Sequence, residues 1–133
     1  MGYLIDTNIA IHARDGHDSV LEKFAANSGA VLLSALSLAE LQRGLSPINP
    51  HAALRKERLA VLLRHIPVVP FDIAAAEAYG RIIAATGWVR GRDYDRMIAA
   101  HALATSSILV TANVADFHDV PGLLSENWTV PEH

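Results

Sequence analysis

The sequence predicts an α/β fold, a sheet of parallel strands covered by helices on both faces. Short apolar runs at Tyr3 to Ile5, Ala30 to Leu33, Ile66 to Phe71 and Ile108 to Val110 alternate with longer stretches of helical period. That alternation is the pattern of repeated βαβ units. The chain has 133 residues, 51% of them hydrophobic, enough for one core and too few for two. A single domain over residues 1–133 is therefore expected.

Each element has its own signal. The run Tyr3-Leu4-Ile5 stops at Asp6, as a buried strand does when it ends in an acidic turn. Helices are expected at Asn8 to Arg14 and Val20 to Ala26, before the second strand at Ala30 to Leu33. Leu38, Leu41 and Leu45 recur at helical spacing and predict a helix over Leu38 to Leu45. Ser46-Pro47-Ile48-Asn49-Pro50 then breaks the chain ahead of a long helix at His51 to His65. Ala75, Tyr79 and Ile82 mark the inward stripe of a helix over Ile73 to Ala85. Gly87 to Arg92 reads as a mobile loop leading into a helix from Tyr94 to Thr105. A short fifth strand is expected at Trp128 to Val130. No internal repeat or low-complexity segment interrupts this order.

Composition narrows the function classes. The absence of cysteine removes disulfides, thiol nucleophiles and cysteine-ligated zinc, and it fits a reducing compartment, so cytoplasm is expected. No apolar run approaches the roughly 18 residues of a membrane span, and no membrane partner is expected. A net charge of -3 argues against coating nucleic acid by charge alone. The distribution is uneven, however: Arg43, Arg55, Lys56, Arg58 and Arg64 fall in a stretch whose one acid is Glu57. That stretch is either a local phosphate-facing surface or the solvated face of a long helix.

Four carboxylates carry the chemistry. In βαβ connectivity the strand C-termini and the helix N-termini that follow them share one edge, where ligands of open sheets bind. Asp6 ends the first strand, Glu40 opens the helix after the second, Asp95 opens the sixth helix, and Asp116 lies just past the fourth strand. Acids gathered at one edge repel each other unless a cation joins them. A set made only of carboxylate oxygens suits magnesium or manganese rather than zinc. Such an ion can stabilise phosphoryl charge and lower the pKa of a bound water. Asn8, Thr111 and Asn113 can orient the carboxylates through neutral hydrogen bonds, and Arg90, Arg92 and Arg96 flank the edge where they could meet phosphates.

Each acid also has a plainer reading. Ser37 to Glu40 matches a helix capping box. Asp95 can complement a helix dipole, and Asp6 or Asp116 can be an ordinary cap. Asp93 competes with Asp95; placed at the N-cap, it leaves Asp95 free to face the pocket. Four plain readings coinciding on one edge is the less economical account. The seven histidines form no His-Glu-x-x-His pattern, and His101, six residues beyond Asp95, falls on a different helix face and is expected to pack or face solvent. There is no Gly-rich phosphate loop and no nucleophile elbow.

An ordered set of motifs now resembles a known family. Leu4-Ile5-Asp6-Thr7-Asn8-Ile9, Ser37-Leu38-Ala39-Glu40-Leu41 with Arg43-Gly44, Asp95 with Ile98-Ala99-Ala100-His101-Ala102, and Thr111-Ala112-Asn113 with Asp116-Phe117 are similar to the PIN-domain ribonucleases, in particular VapC toxins of bacterial type II toxin-antitoxin systems. Val120-Pro121-Gly122-Leu123 and Asn127-Trp128 carry the likeness to the C-terminus. The resemblance implies an α/β/α sandwich with a parallel five-stranded sheet, Mg2+- or Mn2+-dependent endoribonuclease activity on RNA, homodimerisation, and inhibition by a cognate VapB-like antitoxin. It also implies that Asp6, Glu40, Asp95 and Asp116 are catalytic, that Asp6 and Asp95 bind the metal, and that Thr7, Asn8 and Asn113 support them. Arg43, Arg90, Arg92 and Arg96 are the candidate RNA contacts. The antitoxin would lay an apolar helix on the toxin and direct a basic side chain into the acidic pocket.

Other function classes fit less well. A phosphatase with an aspartate nucleophile prefers a second carboxylate two positions after the first, where this chain has Asn8. A phospho-receiver needs a late lysine, and the lysines here are Lys23 and Lys56. A PIN-like nuclease in RNA processing without a toxin role, or a PIN-like scaffold with an idle site, remains as the alternative.

Overall fold

A computed structural model describes residues 2–131; the ends of the expected domain, Met1, Glu132 and His133, lie outside the described residues. Five parallel strands form one sheet in the order β3-β2-β1-β4-β5. They are β1 (Gly2–Ile5), β2 (Val31–Ser34), β3 (Val68–Val69), β4 (Ser107–Val110) and β5 (Ser125–Glu126). The helices are α1 (Thr7–Arg14), α2 (Asp18–Ala26), α3 (Ala35–Arg43), α4 (Ala52–Leu63), α5 (Ile73–Thr86) and α6 (Asp93–Ala104). A 3-10 turn at Val114–Phe117 follows β4.

Side-chain alternation along the strands builds the two layers. In β1, Ile5 packs with Ile9, Val20, Leu59 and Leu62 from α1, α2 and α4. Leu4, one position earlier, packs with Ala78, Ile82, Ile98 and Ala99 from α5 and α6. Val110 and Leu109 divide in the same way on β4. Strands buried on both faces read as continuous apolar runs, which is why the first, second and fourth stood out in the sequence.

Because β1 is flanked by β2 on one side and β4 on the other, the chain reverses its direction of travel across the sheet at β1. Such a reversal opens a crevice beyond the carboxyl ends of the strands. The Asp6 amide donates to the Val110 carbonyl at 3.0 Å, so Asp6 stands at that reversal point.

Several boundaries shift from the sequence reading: the third strand, expected over Ile66 to Phe71, shrinks to Val68–Val69, most other ends move by one or two residues, and two further differences have a physical cause in the packing. The fifth strand is Ser125–Glu126, pairing with Leu109 and Val110, and not Trp128 to Val130. Trp128 is instead a core plug, 1% exposed, with its ring 5.0 Å from Tyr3 and 5.8 Å from Phe24. Its apolar bulk imitates a strand signal. The third helix begins at Ala35 rather than Leu38, because Ser34 is its N-cap and accepts from the Leu36 amide at 3.1 Å.

Candidate active site

That earlier start changes the status of Glu40. With Ser34 as the cap, Ser37 lies inside α3 and is buried, and Glu40 sits in the second turn. Glu40 therefore does not open the helix, and the Ser37–Glu40 capping box does not form. The Glu40 carboxylate is free to turn inward, where Oε1 accepts from the Thr7 hydroxyl at 3.0 Å.

Asp6, Thr7, Asn8, Glu40, Tyr94, Asp95, Ile98 and Phe117 line a cavity of about 130 Å³ at the sheet edge. Asp6 both caps α1, accepting from the Ile9 amide at 2.9 Å, and faces this cavity. The buried Thr111 hydroxyl, at the end of β4, supports the same carboxylate. Three segments far apart in sequence thus deliver three carboxylates to one small space.

The electrostatics are those of crowded acids. Burial pushes the Asp6 carboxyl above its ordinary 3.8, and the charge of Asp95 adds to the rise against hydrogen bonds from Ile9 and Thr111. Asp95 is raised as well, first by burial, then by the charge of Asp116, with Glu40 adding less. Asp116 itself is exposed on the 3-10 turn and does not line the cavity; it acts on the site through its field at Asp95. Asn113 is also exposed, its amide donating to Thr111 Oγ1 at 3.1 Å and its carbonyl accepting from the Asp116 amide at 3.0 Å. Asn113 therefore shapes the turn that carries Asp116.

The donor set fits a hard divalent ion. No group of three or more His, Cys, Asp and Glu gathers closely enough to cage a metal among the described residues. Magnesium, however, keeps several waters and takes only one or two protein carboxylates. Asp6 and Asp95 are the pair whose ionisation is most opposed by their surroundings, and an ion between them would relieve that opposition.

Two expected roles change. Asp93 is the first residue of α6 and not its N-cap, which is Arg92. Its Oδ1 is taken by the Tyr79 hydroxyl at 2.6 Å and the Trp88 indole N–H at 2.9 Å, away from the cavity. Arg96 is not an available RNA contact. It is 4% exposed and locked by two hydrogen bonds of 2.9 and 2.7 Å to Asp119. Six residues before β5, Asp119 gave no sequence signal of this pairing. Arg43, Arg90 and Arg92 are exposed.

Tyr94 is the site residue that sequence reasoning missed. Its hydroxyl lies 2.9 Å from Thr7 Oγ1 and 3.3 Å from Ser37 Oγ, and burial pushes its pKa up to about 12, so it stays protonated. One phenol thereby joins α1, α3 and α6. The available signal was its place directly before Asp95 on a helix start. His101 packs as expected, buried, with Nδ1 2.8 Å from Ser34 Oγ and its ring 5.5 Å from Phe71.

The chain is similar to known proteins over almost its whole length. The sequence model of the PIN domain matches residues 3–123. The chain belongs to the PIN-domain family. Among PIN-domain proteins it is 33% identical to Ribonuclease VapC2 of Rickettsia felis, over 96% of this chain and 98% of that one. It is 34% identical to the tRNA(fMet)-specific endonuclease VapC of Shigella flexneri, over the same shares. In structure it is similar to the VapBC2 complex of Rickettsia felis bound to a promoter DNA fragment, with TM-score 0.80, 32% identity, and coverage of 96% of this chain and 99% of that one. The α/β sandwich with five parallel strands is that of the PIN-domain VapC proteins.

Proposed function

We propose that this chain is a divalent-metal-dependent endoribonuclease that acts as the toxin of a toxin-antitoxin pair. The observation that carries the reading is the meeting of Asp6, Glu40 and Asp95 in one cavity at the reversal point of the sheet. Full-length similarity to named VapC ribonucleases supports the reaction class.

In this reading Asp6 and Asp95 hold Mg2+ or Mn2+, which when bound supplies charge stabilisation at a phosphoryl oxygen and an acidified water. Glu40, oriented by Thr7 and Tyr94, accepts the proton of the attacking water. Asp116 adds negative field at Asp95 and so strengthens its hold on a cation. Asn8 at the cavity wall and the exposed Arg43, Arg90 and Arg92 meet the RNA.

A VapB-like antitoxin, homodimerisation and a cytoplasmic setting belong to the same proposal. Among the described residues no helix is long and apolar enough to cross a membrane. An apolar groove of about 380 Å³ between α2 and α4, walled by Leu21, Phe24, Leu62 and Ile66 with Arg14 and Arg58 at its side, suits the antitoxin's apolar helix.

The test is cleavage of RNA by the antitoxin-free protein with EDTA and after Mg2+ is restored. Cleavage is expected only with the metal, and activity indifferent to chelation would remove the mechanism. Co-purification with the product of an adjacent antitoxin-like reading frame, and loss of cleavage in that complex, would separate a toxin from a nuclease of RNA processing.

A further inference from the structure

An acidic cavity in a chain of net charge -3 repels the phosphates it is proposed to cut. Attraction for the strand must come from surfaces beside the cavity. The loop between α5 and α6 has the required chemistry. It is bracketed by Gly87 and Gly91, at φ +79° and +85°, a backbone region that favours glycine. Between and just after them stand Trp88, Arg90 and Arg92, all exposed.

Trp88 is 59% exposed, whereas Trp128 is sunk in the core at 1%. Its exposure is held in place: the indole N–H donates to Asp93 Oδ1 at 2.9 Å, and the same oxygen is gripped by Tyr79 at 2.6 Å. With its one polar group engaged, the indole has its aromatic surface left to offer. Asp93 is two residues from Asp95, about 3 Å of helix rise but roughly 200° around the helix axis, so the indole it holds stands to one side of the cavity. Arg92 is near enough for its charge to act on Asp95.

We propose that Trp88 is a stacking platform for an unpaired base of the RNA strand, to one side of the acidic cavity, with Arg90 and Arg92 neutralising the flanking phosphates. This rests on the ribonuclease reading for the nature of the ligand. Every base has a π face, so the platform selects for unstacked, single-stranded or looped RNA rather than for a particular base.

The full chain in EDTA, where no cleavage is proposed to occur, is titrated with a single-stranded RNA oligonucleotide while tryptophan emission is recorded. RNA is expected to quench the emission of the wild-type protein and to leave that of Trp88→Leu, which reports only Trp128, unchanged. The dissociation constant should rise about 5- to 150-fold in Trp88→Leu, the range of one lost base stack. Trp88→Phe should recover most of the loss, and with metal restored KM should rise in step with the dissociation constant. Unchanged RNA affinity in Trp88→Leu overturns the proposal, and if sedimentation then shows that the variant has lost self-association, the indole belongs to a contact between copies. Quenching through Trp88 without metal-dependent cleavage leaves the platform standing and removes the ribonuclease reading. Cleavage with no Trp88 dependence does the reverse.

Discussion

The Tyr94 hydroxyl stands 2.9 Å from the Thr7 hydroxyl, although 87 positions separate the two residues in the chain. Thr7 gives its single proton to Glu40 at 3.0 Å, so the one proton of Tyr94 is shared between the Thr7 oxygen and Ser37 Oγ at 3.3 Å. The orientation of a carboxylate on α3 is thus set from α6 through a hydroxyl on α1.

Thr7→Val should therefore lower kcat/KM by roughly 10- to 100-fold, the worth of one hydrogen bond to a charged group. Tyr94→Phe should cost less, about 3- to 10-fold, because it removes a neutral bond one step further out. The double variant should be no worse than Thr7→Val alone, since both act through Glu40. Steady-state cleavage of one RNA oligonucleotide by all three variants measures this, and additive losses would show that the hydroxyls work separately.

Asp6→Asn should abolish cleavage while the protein keeps its circular dichroism and melting temperature to within a few degrees. Asparagine is as good an N-cap as aspartate, so the bond to the Ile9 amide survives and only the charge is lost. Unfolding of the variant would instead give Asp6 a structural role.

The pH response follows from the raised carboxyls. Both Asp6 and Asp95 bind protons more tightly folded than unfolded, so ionising them opposes folding as pH rises from about 3.8 through their raised values. In EDTA, Asp95→Asn should therefore be relatively more stable than wild type above that window, and should lose this advantage below it. Mg2+ should reverse the order at neutral pH by stabilising the wild type alone. Thermal melts of the two proteins from pH 3.5 to 8, with and without Mg2+, decide it. Cleavage should likewise fail as pH falls through the raised values, because protonated carboxyls cannot hold the ion.

Arg96→Ala should lower stability by about 1–2 kcal/mol, measured by denaturant unfolding. The two bonds to Asp119 are lost, and the value is discounted because Asp119 is 55% exposed and water covers it afterwards. RNA affinity measured in EDTA should be unchanged, since the guanidinium is occupied by Asp119. A fall in affinity without a fall in stability would return Arg96 to the RNA surface.

Trp128→Ala should cost about 3–5 kcal/mol, as for a large aromatic cut from a core. The indole packs on both Tyr3 and Phe24, joining β1 to α2, and its N–H donates to Glu126 on β5 at 3.0 Å. A loss below 1 kcal/mol would mean that the site collapses around the deletion.

The residues that were legible in the sequence are those whose signal is local. Ile5 followed by Asp6 announces a strand end, and Val110 followed by Thr111 announces another, because burial on both faces demands unbroken apolar runs. Leu41 and Ile82 mark helix faces by periodicity, and both are buried. The start of α3 was misread because Ser34 and Ser37 are equally good caps on paper. Burial chose between them: Ser34 bonds to His101 and the Leu36 amide together, while Ser37 is turned towards Tyr94.

By itself the sequence determined the α/β class, the helix stripes and the placing of Asp6 and Asp95 at segment junctions, since all three depend on neighbours within a few positions. The tertiary structure alone decided which polar groups meet. It set Tyr94 against Thr7, committed Arg96 to Asp119 and Asp93 to Trp88, and kept Asp116 at the rim of the cavity rather than in its wall. Hydrogen bonds and charge fields act over a few ångströms of space, and only the sheet order, with β1 between β2 and β4, brings those partners within that range.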